Sequence, residues 1–181
     1  MAQVLILPGW QNSGPAHWQR LWAERHGDLV VEQDDWWAPR RGDWLARLNE
    51  VVMDTPGDLV LAAHSLACIQ VAAWARASGQ VGRIRGALLV APGDVERDDL
   101  RQQIPGWAPI ERARLPFASV LVASRNDPFC DFERARALAT AWGSDWVDAG
   151  EAGHLNADSG LGDWPEGRAL LQRFWKETSP W

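Results

Sequence analysis

The sequence predicts a single-domain α/β protein with a mostly parallel sheet of about six strands and helices on both faces. Three observations predict it. Short apolar runs alternate with segments of helical spacing from one end of the chain to the other. The runs are apolar nearly throughout, as strands covered on both faces are. A length of 181 residues suits one domain with a sizeable core.

The elements follow in order. VLIL (4–7) is the first strand, and Pro8-Gly9 ends it. A helix starts at Pro15 and runs to about Arg25, with Trp18, Leu21 and Trp22 on its apolar side. LVVEQ (29–33) is the second strand. Residues 43–54 have helical spacing at Trp44, Leu45, Leu48, Val51 and Val52. LVLAA (59–63) is the third strand, and the alanine-rich 69–77 is a helix stopped by Gly79. GALLVAP (86–92) and SVLVAS (119–124) are two more strands. Residues 132–142 form a helix closed by Gly143, and DWVDAG (145–150) is a last short strand. A C-terminal helix covers 166–177 behind Pro165. The Pro- and Gly-bearing segment 93–117 has no clear pattern and is too short for a large lid.

Composition excludes several classes. Net charge is −6, and the charges are interspersed with no basic block, so no nucleic-acid partner is expected. Cys68 and Cys130 do not form a C-x-x-C pair, and the four histidines lack zinc-ligand spacing; no metal and no cofactor is expected. The N-terminus lacks the pattern of a signal peptide, and no run approaches the roughly 18 apolar residues of a membrane helix. The expected location is the cytoplasm, with no membrane partner. Tryptophan is abundant, 13 residues against no tyrosine. Most should pack in the core. Trp10, Trp36, Trp37, Trp107 and Trp164 lie in or next to loops and are candidates for lining a pocket.

In open α/β sheets ligands bind beyond the carboxyl ends of the strands, where strand order switches. Ser65 directly follows the third strand in Ala63-His64-Ser65-Leu66-Ala67. This is the G-x-S-x-G elbow of serine hydrolases with both glycines replaced by alanine. Taken alone, Ser65 reads more readily as a helix cap than as a nucleophile. Asp127 follows the strand 119–124, and Asp94 follows the strand before it as a rival carboxylate. His154 lies beyond the last strand. The order Ser65, Asp127, His154, each after a separate strand, is the order of α/β-hydrolases.

On six segments the chain resembles the small serine hydrolases named after retinoblastoma-binding protein 9, its bacterial members above all. They are LPGWQNSGPAHWQ, VEQDDWWAPRRGDW, LVLAAHSLAC, ALLVAPGD, LPFASVLVASRNDPFC and AGHLNADSGLGDWPEG, spread over residues 7–167. The A-x-S-x-A elbow departs from the more usual G-H-S-x-G. The resemblance implies a single-domain α/β-hydrolase fold, with Ser65 as nucleophile, Asp127 as orienting acid and His154 as general base. The chemistry then asks for two oxyanion donors. The backbone N–H groups of Leu66 and Trp10 are expected to supply them, with Gly9, Trp36 and Trp107 touching substrate. Binding of the retinoblastoma protein is not carried over, because LACIQ (66–70) ends in Gln where the Leu-x-Cys-x-Glu motif needs Glu.

The expected function is cleavage of a small ester, thioester or amide, with a small-molecule acyl substrate as the partner. A non-catalytic binding protein on the same fold is the alternative, since fold does not guarantee chemistry.

Overall fold

The structure is a computed structural model and describes residues 2–175. Six strands form one parallel sheet: β1 Gln3–Leu7, β2 Leu29–Val30, β3 Leu59–His64, β4 Ile84–Val90, β5 Ser119–Ala123 and β6 Asp145–Asp148. Their order across the sheet is β2-β1-β3-β4-β5-β6. The helices are α1 Trp18–His26, α2 Arg41–Asp54, α3 Leu66–Ala77, α4 Asp98–Gln103, α5 Phe132–Trp142 and α6 Pro165–Gln172.

Alternate strand residues point to opposite faces, and each face has its own core. Leu5, Leu7, Leu59, Leu61, Leu89 and Leu121 meet Trp44 and Leu48 of α2, Ile69 and Trp74 of α3, and Leu138 and Trp142 of α5. Val4, Ile6, Val60, Leu88, Val90 and Val120 meet Trp18 and Trp22 of α1 and Leu171 of α6. This explains the unbroken apolar runs in the sequence: β3 is buried at every position.

Boundaries differ from the sequence expectation where the sheet or a turn takes over. The second strand is confined to Leu29–Val30, because it is an edge strand that leaves the ladder after Val31 N–H reaches the Ile6 carbonyl (2.9 Å). Residues 15–17 form a turn, and α1 begins only at Trp18, where the His17 ring accepts the Gln19 N–H. The third helix starts at Leu66 instead of 69, straight from the end of β3. The short α4 lies inside the segment that showed no pattern. The C-terminal helix ends at Gln172, and residues 176–177 of the expected span lie outside the described residues. No described helix is long and apolar enough to cross a membrane. Among the described residues no cluster of three or more potential ligands could hold a metal ion.

From β1 the chain moves outward to β2, then returns to place β3 on the other side of β1. The switch point therefore lies between β1 and β3. The loop after β1 and the turn after β3 open side by side there, which is where a ligand crevice belongs.

Candidate active site

Ser65 occupies that turn. Its backbone has φ 57° and ψ −120°, a region that side-chain-bearing residues rarely enter. The strain turns the chain from strand to helix within one residue, just past the carboxyl end of β3. Both flanking alanines are fully buried. Ala63 is paired with Leu7 on β1 and with Leu89 on β4, while Ala67 sits in the first turn of α3. Small residues are needed there, and a methyl is accommodated. The helix-cap reading fails on geometry: the Ser65 hydroxyl makes no cap bond to α3.

The hydroxyl instead lies 2.9 Å from Nε2 of His154. Nδ1 of the same ring lies 2.9 and 3.0 Å from the two carboxylate oxygens of Asp127. A carboxylate only accepts, so the Nδ1 proton faces Asp127 and Nε2 is left free to accept from serine. Asp127 also accepts the Phe129 N–H at 2.9 Å, which holds its carboxylate in place. The three side chains come from the ends of β3, β5 and β6, as the sequence order requires. The rival Asp94 is occupied elsewhere: it accepts the Glu96 N–H and pairs with the Arg134 guanidinium at 3.4 Å.

The loop after β1 lies directly on the elbow. A Cβ added to Gly9 would stand 2.9 Å from the His64 carbonyl oxygen and 3.3 Å from the Leu66 nitrogen. Gln11 and Asn12 follow with positive φ, so this loop carries its own strain. It is held by the β2–α2 connection, where the Trp36 carbonyl accepts the Gln11 N–H (2.9 Å) and the Trp37 carbonyl accepts the Trp10 indole N–H (3.0 Å). Trp10 and Leu66, the first residue of the 12-residue α3, thus line the same space, and the helix end favours negative charge there.

That space is a cavity of about 420 Å³ reaching down to Ser65 and His154. Gly9 and Trp10 line it, as expected. Trp36 and Trp107 do not. The Trp36 ring packs edge-on against Trp44, and it helps the site through its main-chain carbonyl. Trp107 is fully buried against Trp44, with its N–H donated to the Pro39 carbonyl at 2.9 Å. Large apolar area outweighed loop position in both. Trp164 is buried too, against Trp18 and Trp22, and Trp37 is 70% exposed. The apolar wall is instead Val95, Leu100, Ile104 and Phe129. Three of these belong to α4 or its flanks, inside the segment whose mixed composition carried no periodic signal.

Two further histidines carry no signal in the sequence that would single them out. His64 is buried beside His154, with ring centroids 4.8 Å apart, and His17 is buried beside His64, at 4.7 Å. Burial, reinforced by His154 and Arg20, lowers His17 to about 3, and burial with the neighbouring His154 and His17 holds His64 well below 6.5. Both stay neutral at pH 7. Cys68 and Cys130 are buried free thiols whose pKa values burial raises, the second to about 12, which leaves them poor nucleophiles.

The profile of the serine hydrolase family matches residues 4–173. The chain belongs to the serine hydrolase family. Solved structures agree with this serine hydrolase on the fold. A putative YdeN-like hydrolase from Pectobacterium atrosepticum is similar at 28% identity, with 96% of this chain and 90% of that chain covered and a TM-score of 0.84. The ydeN gene product from B. subtilis shares 19% identity, with 98% and 100% covered and a TM-score of 0.80. Est1E from Butyrivibrio proteoclasticus, solved with ferulic acid bound, shares 11% over 99% and 90%, with a TM-score of 0.73. No curated protein matches the chain in sequence. The serine hydrolase therefore has the α/β-hydrolase fold, with six strands and six α-helices among the described residues.

Proposed function

We propose that this protein is a carboxylesterase-like serine hydrolase that cleaves a small ester, thioester or amide through an acyl-enzyme on Ser65. The observation that supports this best is the chain of contacts from Ser65 Oγ to His154 Nε2 and from His154 Nδ1 to Asp127, at 2.9 Å each, on the floor of an open cavity. His154 takes the Ser65 proton as the oxygen attacks the acyl carbon, and Asp127 supports the imidazolium that forms. The Leu66 and Trp10 N–H groups receive the charge that builds on the carbonyl oxygen; one such donor is worth roughly 3 kcal/mol. His154 then protonates the leaving group, and water repeats the sequence to free the acid.

The acyl group lies against Val95, Leu100, Ile104 and Phe129, and the cavity volume favours a modest apolar acyl chain. The six motif segments support grouping the chain with the retinoblastoma-binding protein 9 hydrolases, acting in the cytoplasm on a small molecule. A series of p-nitrophenyl esters of rising chain length tests the reading. Turnover should be greatest for short chains and fall for long ones. A folded protein that turns over no ester, thioester or amide would support a non-catalytic binding role on this fold.

A further inference from the structure

The loop that carries His154 is held from outside at four consecutive residues. The Ala152 N–H donates to Ser124 Oγ (2.9 Å) and the Gly153 N–H to Asn126 Oδ1 (2.8 Å). The His154 carbonyl accepts from His64 Nε2 (2.8 Å), and the Leu155 carbonyl from the Trp18 indole (3.0 Å). Leu155 has φ 50°, so the loop does not take this shape by local preference alone. Of the four anchors, only His64 acts on the residue that carries the base, and it is also the residue that precedes the nucleophile.

We propose that His64 is a positioning residue: by donating to the His154 main-chain carbonyl it ties the base to the strand that carries Ser65 and so sets the Ser65–His154 distance. The proposal rests on reading Ser65 as nucleophile and His154 as base. A carbonyl only accepts, so the His64 proton is on Nε2. The ring is confined between His17 and His154, with centroids 4.7 and 4.8 Å away, and it is buried. It is therefore a fixed donor with no conformational freedom to lose. A histidine kept neutral by burial also suits the place electrostatically. It gives an N–H to the backbone of His154 without setting a second positive charge beside the imidazolium that forms in each half of the reaction.

Glutamine and asparagine separate this role from packing. In His64→Gln the side-chain amide nitrogen can occupy the place of the imidazole Nε2. In His64→Asn the shorter side chain brings its amide only as far as the place of Nδ1. The experiment measures kcat, KM and thermal midpoint on an activated short-chain ester for the parent, His64→Gln, His64→Asn and His64→Phe. His64→Gln should keep most of the parent kcat. His64→Asn and His64→Phe should lose about 10²-fold, the usual cost of a misplacement near 1 Å, with the loss in kcat exceeding any change in KM. The comparison of His64→Gln with His64→Asn decides the matter even if His64→Phe does not fold. Equal losses in these two variants, or a His64→Asn protein as active as the parent, overturn the positioning role alone. A parent that is inert on every ester overturns the hydrolase reading and this proposal with it.

Discussion

Gly9 and Ser65 meet across the switch point of the sheet: a Cβ on Gly9 would stand 3.0 Å from the Cβ of Ser65. The other near atoms are the His64 carbonyl oxygen and the Leu66 nitrogen, both main chain, so no flexible side chain can give way. Gly9→Ala should therefore move the loop that presents Trp10 away from the elbow. Turnover of an activated ester should fall about 10²-fold while the fold is kept. Steady-state kinetics with a thermal scan check this. Parent-like turnover would place the oxyanion donors elsewhere.

The two carboxylates that follow β4 and β5 should behave differently. Asp127 faces the His154 ring, and Asp94 faces Arg134. Asp127→Asn would present an amide to Nδ1 and favour the wrong tautomer, a loss of up to about 10⁴ in kcat. Asp94→Asn weakens a half-buried ion pair and should cost stability more than turnover. The comparison is kcat for both variants on one ester. A large loss in Asp94→Asn beside an active Asp127→Asn would reverse the assignment.

The fold is legible in the sequence because its signal is strong. Strands buried on both faces write themselves as unbroken apolar runs, and β3, buried throughout, is the clearest. The order of Ser65, Asp127 and His154 is legible because each follows a different strand. The substrate wall is not. Leu100 and Ile104 lie on or beside a six-residue helix, too short to show a period, among four charged neighbours at 97–99 and 101. Trp107 misleads for the opposite reason: a tryptophan between Gly106 and Pro109 looks like a loop residue, but its ring fills the gap beside Trp44. His64 stays hidden because nothing in one sequence says that its partner is a carbonyl 90 positions away.

Stability should fall as pH drops below 6.5. His17 and His64 are neutral in the folded protein, with pKa values lowered by burial, while in the unfolded chain they titrate near 6.5. The unfolded state therefore binds more protons below that pH, and the stability present above 6.5 is lost as pH falls toward the folded values. Each histidine contributes a slope of up to about 1.4 kcal/mol per pH unit. Urea midpoints at pH 7, 6 and 5 measure it, and His17→Gln should remove one histidine's share of the slope. A flat profile between pH 7 and 5 would contradict the burial of both rings.

The alanines around Ser65 set the tolerance of the elbow. Ala63 is hemmed in by β1 and β4, and Ala67 lies in the first turn of α3. Ala63→Val and Ala67→Val should force strand and helix apart and lower turnover by about 10²-fold, beyond any fall in thermal midpoint. Glycine at either position should be far milder. Valine variants that stay folded and fully active would mean that the turn is not strained as φ 57° at Ser65 implies.

The most direct test of the account is covalent. A fluorophosphonate reacts only with an activated serine, and intact mass with peptide mapping locates the adduct. The parent should gain one adduct, on Ser65, and lose its esterase activity in step. Folded Ser65→Ala should gain none. An unlabelled parent, or an adduct that persists in Ser65→Ala, would contradict the assignment of Ser65 as the nucleophile.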